Sequence, residues 1–509
     1  MKTLFFALSC LLTLNLTAAT PVSLNSFFGD LNGDGKTDLV INYTYDGLQH
    51  WQGRLSNGTS YGDSIDWTST STPNVTTIGI ADVTGDGKAD LVIQYDSGGT
   101  RYWQARVSNG SSFQYTGSDW AVGTTNMTVV GLVDVNGDGK ADLVLQYDSG
   151  GYRHWEARLS NGASFVSNGS DWTSTSTPNV TAVALADVNG DGKADLVLQY
   201  DSGRYRYWQA RLSTGSSFQY TGSDWMSTST PNVSVLDVKD VDGDGRADII
   251  LFYPDAYGIS HWQARLSTGS SFVFTGDDWM TTSTPGVKTV AIKDVNGDGK
   301  ADLVLFYPDA YGVSHWQARL STGTSFQYTG GDWMTTSTSG ATAVGVNDAN
   351  GDGKADLVIT YPYGAYNAWQ TRLSTGMNFA YTGGDWLDLL NPNRILITSV
   401  SPRGVSPNFA QGVISSLVST NDYKIAVYIK VPNYGWVTKP FQTAPYTTAG
   451  AGGNWTCSIS TGGNDPNATE IAAFLFHSGV GYQPPFVNAA SSLPAQLYQN
   501  SIDYSDVTR

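Results

Sequence analysis

The stretch "DVNGDGKADLVLQYDSG" fills residues 134–150 and recurs unchanged at residues 187–203. Its first nine residues return unchanged from Asp294 and slightly varied from Asp30, Asp82, Asp240 and Asp348, which makes seven copies. The steps between copies are 52, 52, 53, 53, 54 and 54 residues. A fixed period over most of a chain marks a repeat architecture and outranks any local reading.

Each unit reads as strand throughout. In the fourth, "TAVALAD" leads into the acidic loop, and "ADLVLQY" follows with Asp195, Val197 and Gln199 on one face and Leu196, Leu198 and Tyr200 on the other. A turn, "YWQARLS", a glycine turn, "SSFQYTG" and the polar crossing "SDWMSTSTPNV" complete it. Four short strands per unit, repeated seven times, predict an all-β chain with a seven-bladed β-propeller over residues 20–388. A closed ring also removes the exposed ends that a linear stack must cap. Two tryptophans recur per unit, one in the third strand (Trp51 to Trp369) and one after the fourth (Trp67 to Trp386). They read either as wedges between blades or as sugar-stacking platforms.

Within "DVNGDGKAD", oxygen-bearing side chains fall at positions one, three, five and nine, with glycine at six. In the 187 copy, Asp187, Asn189, Asp191, the Lys193 carbonyl and Asp195 would wrap one hard cation, and calcium suits such an all-oxygen shell. The loop begins like an EF-hand, yet position twelve holds no glutamate and a strand follows. Four crowded acid or amide groups are expected to repel one another without an ion. The formal charge is −17, of which six loops at −2 and one at −3 supply −15. Seven calcium ions, one per blade, would nearly neutralise the chain, so its acidity requires no basic partner. The same charge argues against nucleic acid.

These loops and their flanking strands resemble the FG-GAP, or VCBS, repeats of integrin α-subunit propellers and of secreted bacterial proteins, over residues 22–388. The resemblance implies calcium positions at Asp30, Asn32, Asp34, Lys36 and Asp38 in the first unit and at Asp82, Thr84, Asp86, Lys88 and Asp90 in the second. It implies Asp134, Asn136, Asp138, Lys140 and Asp142 in the third, and the five residues named above in the fourth. Asp240, Asp242, Asp244, Arg246 and Asp248 follow in the fifth, and Asp294, Asn296, Asp298, Lys300 and Asp302 in the sixth. Asp348, Asn350, Asp352, Lys354 and Asp356 serve the seventh, each Lys or Arg acting through its backbone carbonyl. Thr84 replaces the usual Asn and is the weakest ligand of the set. In integrin-like propellers the calcium loops share one face and ligands meet the other. Here that other face would carry the turns between second and third strands, such as "YDSGGYR" and "YPDAYGVS".

The N-terminus reads as a secretory signal over residues 1–19: Lys2, the apolar run Leu4–Leu16, then small residues. Only Cys457 remains afterwards, so no internal disulfide is expected, and no later segment is apolar enough to span a membrane. Residues 389–400 read as a connector with a short strand and 401–509 as a β-sandwich, with strands at "KIAVYIKV", "WVTKP", "NWTCSIST" and "IAAFLFH". The stretch "GNWTCSISTGGNDPNATEIAAFLF" is similar to accessory modules of secreted bacterial carbohydrate-active proteins.

No active site is legible. His50, His154, His261 and His315 share a position that Tyr102 and Tyr207 also fill, which is unlike a catalytic base. Glutamate occurs only at Glu156 and Glu470, so no unique carboxylate pair offers glycosidase chemistry. The reading is therefore a secreted, calcium-binding, non-enzymatic protein whose partner is a glycan on a cell surface or in a matrix. The alternative is a structural adhesin or filament subunit that self-associates or binds protein, and a polysaccharide lyase ranks last.

Overall fold

Residues Leu196, Val197 and Leu198 form one strand, yet all three are fully buried. The alternation that assigns them to opposite faces holds, and both faces are covered. Leu196 and Leu198 join Val144, Trp155 and Trp172 of the third unit, while Val197 joins Trp208, Ile249 and Leu251 on the other side. Each sheet is thus packed between two neighbours. The computed structural model describes residues 25–508, apart from 46–47, 63–65, 364–365, 391–393, 416–422, 441–445, 450–453, 461–464, 478–482 and 502. The expected signal segment lies outside the described residues.

Seven antiparallel sheets follow one another, one per repeat. In the fourth unit they run Thr181–Ala186, Asp195–Ser202, Tyr205–Ser213 and Phe218–Tyr220 from the inside outwards. The first strands of successive units neighbour one another all the way round, the last meeting the first. They therefore line the axis, and the sheets radiate as blades. At the closure, Tyr61 N donates to Trp386 O at 3.1 Å, and the two rings meet edge-on at 5.3 Å.

The outermost strand departs from expectation. It is split, so six of the seven sheets have five strands. In the fourth unit Phe218–Tyr220 pairs with one end of the third strand and Met226–Thr228 with the other. Trp225 sits at the break, where its amide donates to Trp208 O at 2.8 Å and its Nε1 to Thr221 Oγ1 at 2.8 Å. Both tryptophan series are buried, at 6% exposure or less. The second series meets the aromatic ring of the next blade, as Trp225 meets Phe272 at 5.0 Å. Both are inter-blade wedges, and neither is a sugar platform.

Beyond the repeats the strands form a three-stranded and a five-stranded antiparallel sheet. The four expected strands are present at Tyr423–Val431, Gly435–Lys439, Asn454–Ser458 and Glu470–His477. The short strand expected in the connector is Arg394–Val400, paired with Phe409–Ser415. Its "RILITSV" carries the β-branched residues that favour this. Cys457 is buried, and burial pushes its thiol up to about 12. No helix among the described residues is long and apolar enough to cross a membrane.

Candidate functional site

Each acidic loop is a turn wrapped around its first aspartate. In the fourth unit Asp187 Oδ1 accepts the amides of Asn189, Gly190 and Asp191 at 3.2, 2.6 and 3.2 Å, and Oδ2 accepts that of Gly192 at 2.7 Å. Asn189 Oδ1 accepts Asp191 N at 2.9 Å. Asp191 accepts the Lys193 amide at 2.9 Å and its ammonium at 3.1 Å. The turn needs left-handed backbone at Gly190 and Gly192, both at φ 82°, which glycine adopts without steric penalty. The repulsion expected among these groups is therefore relieved within the loop, by backbone amides and by a lysine. Where Lys36 bonds Asp34, burial works against the charge, but the lysine's side-chain and backbone hydrogen bonds hold the carboxyl below its ordinary value.

Positions one, three and five gather at the exposed lip of the loop, and their donors are all oxygen, as a hard cation requires. The fifth loop brings carboxylate oxygens of Asp240, Asp242 and Asp244 within 4.8 Å of one another. In the second loop Thr84 Oγ1 instead donates to Asp82 Oδ1 at 3.2 Å. Position nine is placed differently from the rest. Asp38, Asp90, Asp142, Asp195, Asp248, Asp302 and Asp356 are fully buried. Both oxygens are already engaged: Asp195 Oδ2 accepts Val188 N at 3.0 Å, and Oδ1 accepts Ser213 N at 2.7 Å. Burial pushes all seven carboxyls up to about 7, although these amide bonds oppose it.

That serine escaped the reading of the sequence. It ends the third strand in six units, as Ser108, Ser160, Ser213, Ser267, Ser321 and Ser374, and follows it by two residues in the first, as Ser56. Its recurrence in seven of seven units was the available signal. A second network was also missed, centred on the aspartate before each outer tryptophan. Asp224 accepts Tyr200 OH at 2.9 Å and Gln209 Nε2 at 2.8 Å; Gln209 accepts Arg211 at 3.1 Å, and Arg211 lies 4.2 Å over the Tyr220 ring. In the third unit Glu156 replaces the glutamine and pairs with Arg158 at 2.9 Å, which accounts for one of the two glutamates. The four repeat histidines join this network. His50, His154, His261 and His315 place Nδ1 2.7–2.8 Å from Asp66, Asp171, Asp278 and Asp332.

The opposite end of each second strand carries the turn to the third. An eight-residue strand puts it roughly 25 Å from the acidic loop. Four consecutive units expose a tyrosine there: Tyr152 at 50%, Tyr205 at 39%, Tyr257 at 91% and Tyr311 at 92%. In the fifth unit Asp255 Oδ1 accepts Tyr257 N at 2.9 Å and Ile259 N at 2.8 Å, which braces the turn that presents the ring. Asp309 does the same for Tyr311. Arg153 and Arg206 pair beside their turns with Asp148 and Asp201 at 2.8 and 2.7 Å.

Radial four- and five-stranded blades, each with an acidic turn leading into a second strand whose first half is buried, define a repeat β-propeller. Residues 30–93, 82–145, 134–198, 187–251, 240–305 and 294–359 each match the FG-GAP-like repeat, together more than half of the chain. The chain belongs to the FG-GAP-like repeat family. Each matched window runs from one acidic loop into the second strand of the next blade, so the family unit straddles a blade junction. No curated protein matches the chain by sequence. Among solved structures it is similar to oligopeptidase B from Leishmania major, with TM-score 0.46, 7% identity, and 92% of this chain and 55% of that one covered. A prolyl endopeptidase gives 0.45, 12%, 78% and 54%, and the Dos1 propeller 0.39, 8%, 77% and 90%. The chain spans about half the length of the first two.

Proposed function

We propose that this is a secreted, calcium-held propeller that binds glycan without catalysis, through the face opposite its acidic loops. One observation carries the reading: the exposed tyrosines of four consecutive blades, two of them more than nine-tenths exposed on braced turns. An aromatic ring offers a flat apolar face to the C–H side of a sugar at little conformational cost, while nearby carboxylates and guanidinium groups meet its hydroxyls. Repetition around a ring adds avidity when a polymer presents many copies of one unit. Calcium is supported by the donor set of positions one, three and five and by the −15 that the loops contribute. When bound, the ion would neutralise those carboxylates and fix the loop; the protein's own part is to hold the oxygens in a turn.

A glycan array probed with the mature protein in calcium, and again in EDTA, tests this. Saturable binding to one glycan class that falls at least tenfold in the double variant Tyr257→Ala, Tyr311→Ala is the expected result. Absence of any glycan bound in calcium would overturn it and favour the structural adhesin.

A further inference from the structure

The position-nine aspartates and the third-strand serines form one closed hydrogen-bonded circuit. Starting in the fourth unit, Asp195 Oδ1 accepts Ser213 N at 2.7 Å. The Ser213 hydroxyl reaches back to the preceding loop and donates to the carbonyl of Val135. The amide of the same Val135 donates at 3.0 Å to Asp142, which is that loop's own position nine. Asp142 accepts Ser160 N at 2.7 Å, and Ser160 reaches back again, to Val83 O at 2.5 Å. The pattern repeats at every junction and closes on itself, where Ser56 Oγ donates to Ala349 O at 2.5 Å and Ala349 N donates to Asp356 at 2.9 Å. A second belt runs alongside it: Ala194 N donates to Asp134 O at 2.9 Å, and Thr37 N to Asp348 O at 2.8 Å across the closure.

We infer that this circuit couples the seven loops, so that cations enter them cooperatively. The inference rests on the calcium reading above and adds a regulation to it. An ion seated on positions one, three and five fixes the turn whose second residue gives its amide to the position-nine carboxylate; that carboxylate also holds a serine amide, and the serine's hydroxyl fixes the second residue of the preceding loop. That same residue's amide, on its other side, orients the preceding position-nine carboxylate. Contiguous, buried networks of this kind are the physical means by which sites bias one another. Mutual repulsion does not oppose it, since six loops carry net −2 and the fifth −3, so a divalent ion leaves no excess positive charge for the next.

The test is an equilibrium calcium titration of the full chain by calorimetry and by chelator competition, read as a Hill coefficient, which cooperative sites raise above 1. The wild type should rise clearly above 1. The triple variant Ser108→Ala, Ser213→Ala, Ser321→Ala removes three links while leaving every proposed ligand in place, and should fall towards 1. Ser213→Thr keeps the hydroxyl and should retain the wild-type coefficient, with circular dichroism in EDTA confirming that each variant is folded. A wild-type coefficient of 1 overturns the coupling and leaves the calcium reading standing. Absence of binding overturns both.

Discussion

Trp225 and His315 show how a repeated residue is tied to the ring. Trp225 fills the gap between two blades, its ring against Phe272 and its Nε1 on Thr221. Trp225→Ala should lower unfolding stability by about 3–5 kcal/mol, the usual penalty for emptying such a site, measured as a drop in the urea midpoint. A sugar platform would give the opposite pattern, weaker binding at unchanged stability. His315 lies between Asp332 at 2.8 Å and Asp309 at 3.4 Å and stacks on Tyr307 at 4.8 Å. Burial disfavours its charge, but the hydrogen bonds and the fields of the two carboxylates outweigh it and raise its pKa. With the folded value above the unfolded one of about 6.5, this stabilisation is complete below the unfolded value and is lost as pH rises through the folded value. The melting temperature of His315→Tyr, the residue type of the second and fourth units, should therefore lack the part of the wild-type decline between pH 6 and pH 8 that belongs to His315. Identical slopes would remove the histidine from the account. The tryptophans were legible as a period, but a period does not say which way a ring points. Asp224 and its equivalents were hidden among the many aspartates of the acidic loops.

The acidic turn is the element on which the fold is repeated, and its two positive-φ glycines are not equivalent. A Cβ on Gly192 would meet nothing within 4 Å, so Gly192→Ala should cost only the left-handed backbone penalty, about 1–2 kcal/mol. A Cβ on Gly190 would lie 3.2 Å from Arg246 Cγ of the next blade, so Gly190→Ala should cost more, with the difference read as separate shifts in urea midpoint. Equal midpoints would mean that Arg246 does not pack where it is placed here. Asp195→Asn removes an acceptor from one of two buried amides, Val188 N or Ser213 N, and an unmet buried donor costs about 1–3 kcal/mol. That loss should appear in EDTA as well as in calcium; a loss seen in calcium alone would make Asp195 a ligand and not a strap. The spacing of oxygens and glycines made the loop readable as a turn. It did not show that position nine faces inwards, because one of the two amides it serves, that of Ser213, belongs to the third strand, 18 residues away. The split outer strand was hidden for a similar reason: "SFQYTGSDWMST" reads as one polar-flanked run, and only the long-range bond from Trp225 to Trp208 breaks it.

At the scale of the molecule, seven nearly identical units raise the question of whether the ring is closed in energy as well as in space. Each acidic loop falls between the first and second strands of one sheet, so the succession of sheets follows the succession of loops in the sequence. Closure was not legible from the sequence, because the residues that meet there, such as Ser56 and Ala349, are 293 positions apart. In an open stack the outward bonds of the first unit would have no partner, and substitutions there would be nearly silent. In the ring Ser56 is as buried as Ser160, both at 3% exposure, and each donates to a carbonyl of its preceding loop. Removing either hydroxyl leaves a buried carbonyl unmet, a loss of about 1–3 kcal/mol. Ser56→Ala and Ser160→Ala should therefore shift the urea midpoint of the propeller transition equally. Both shifts should persist in EDTA, since neither hydroxyl is a proposed ligand. A silent Ser56→Ala beside a destabilising Ser160→Ala would mean that the first and seventh blades part in solution, leaving the ring as a stack with two frayed ends.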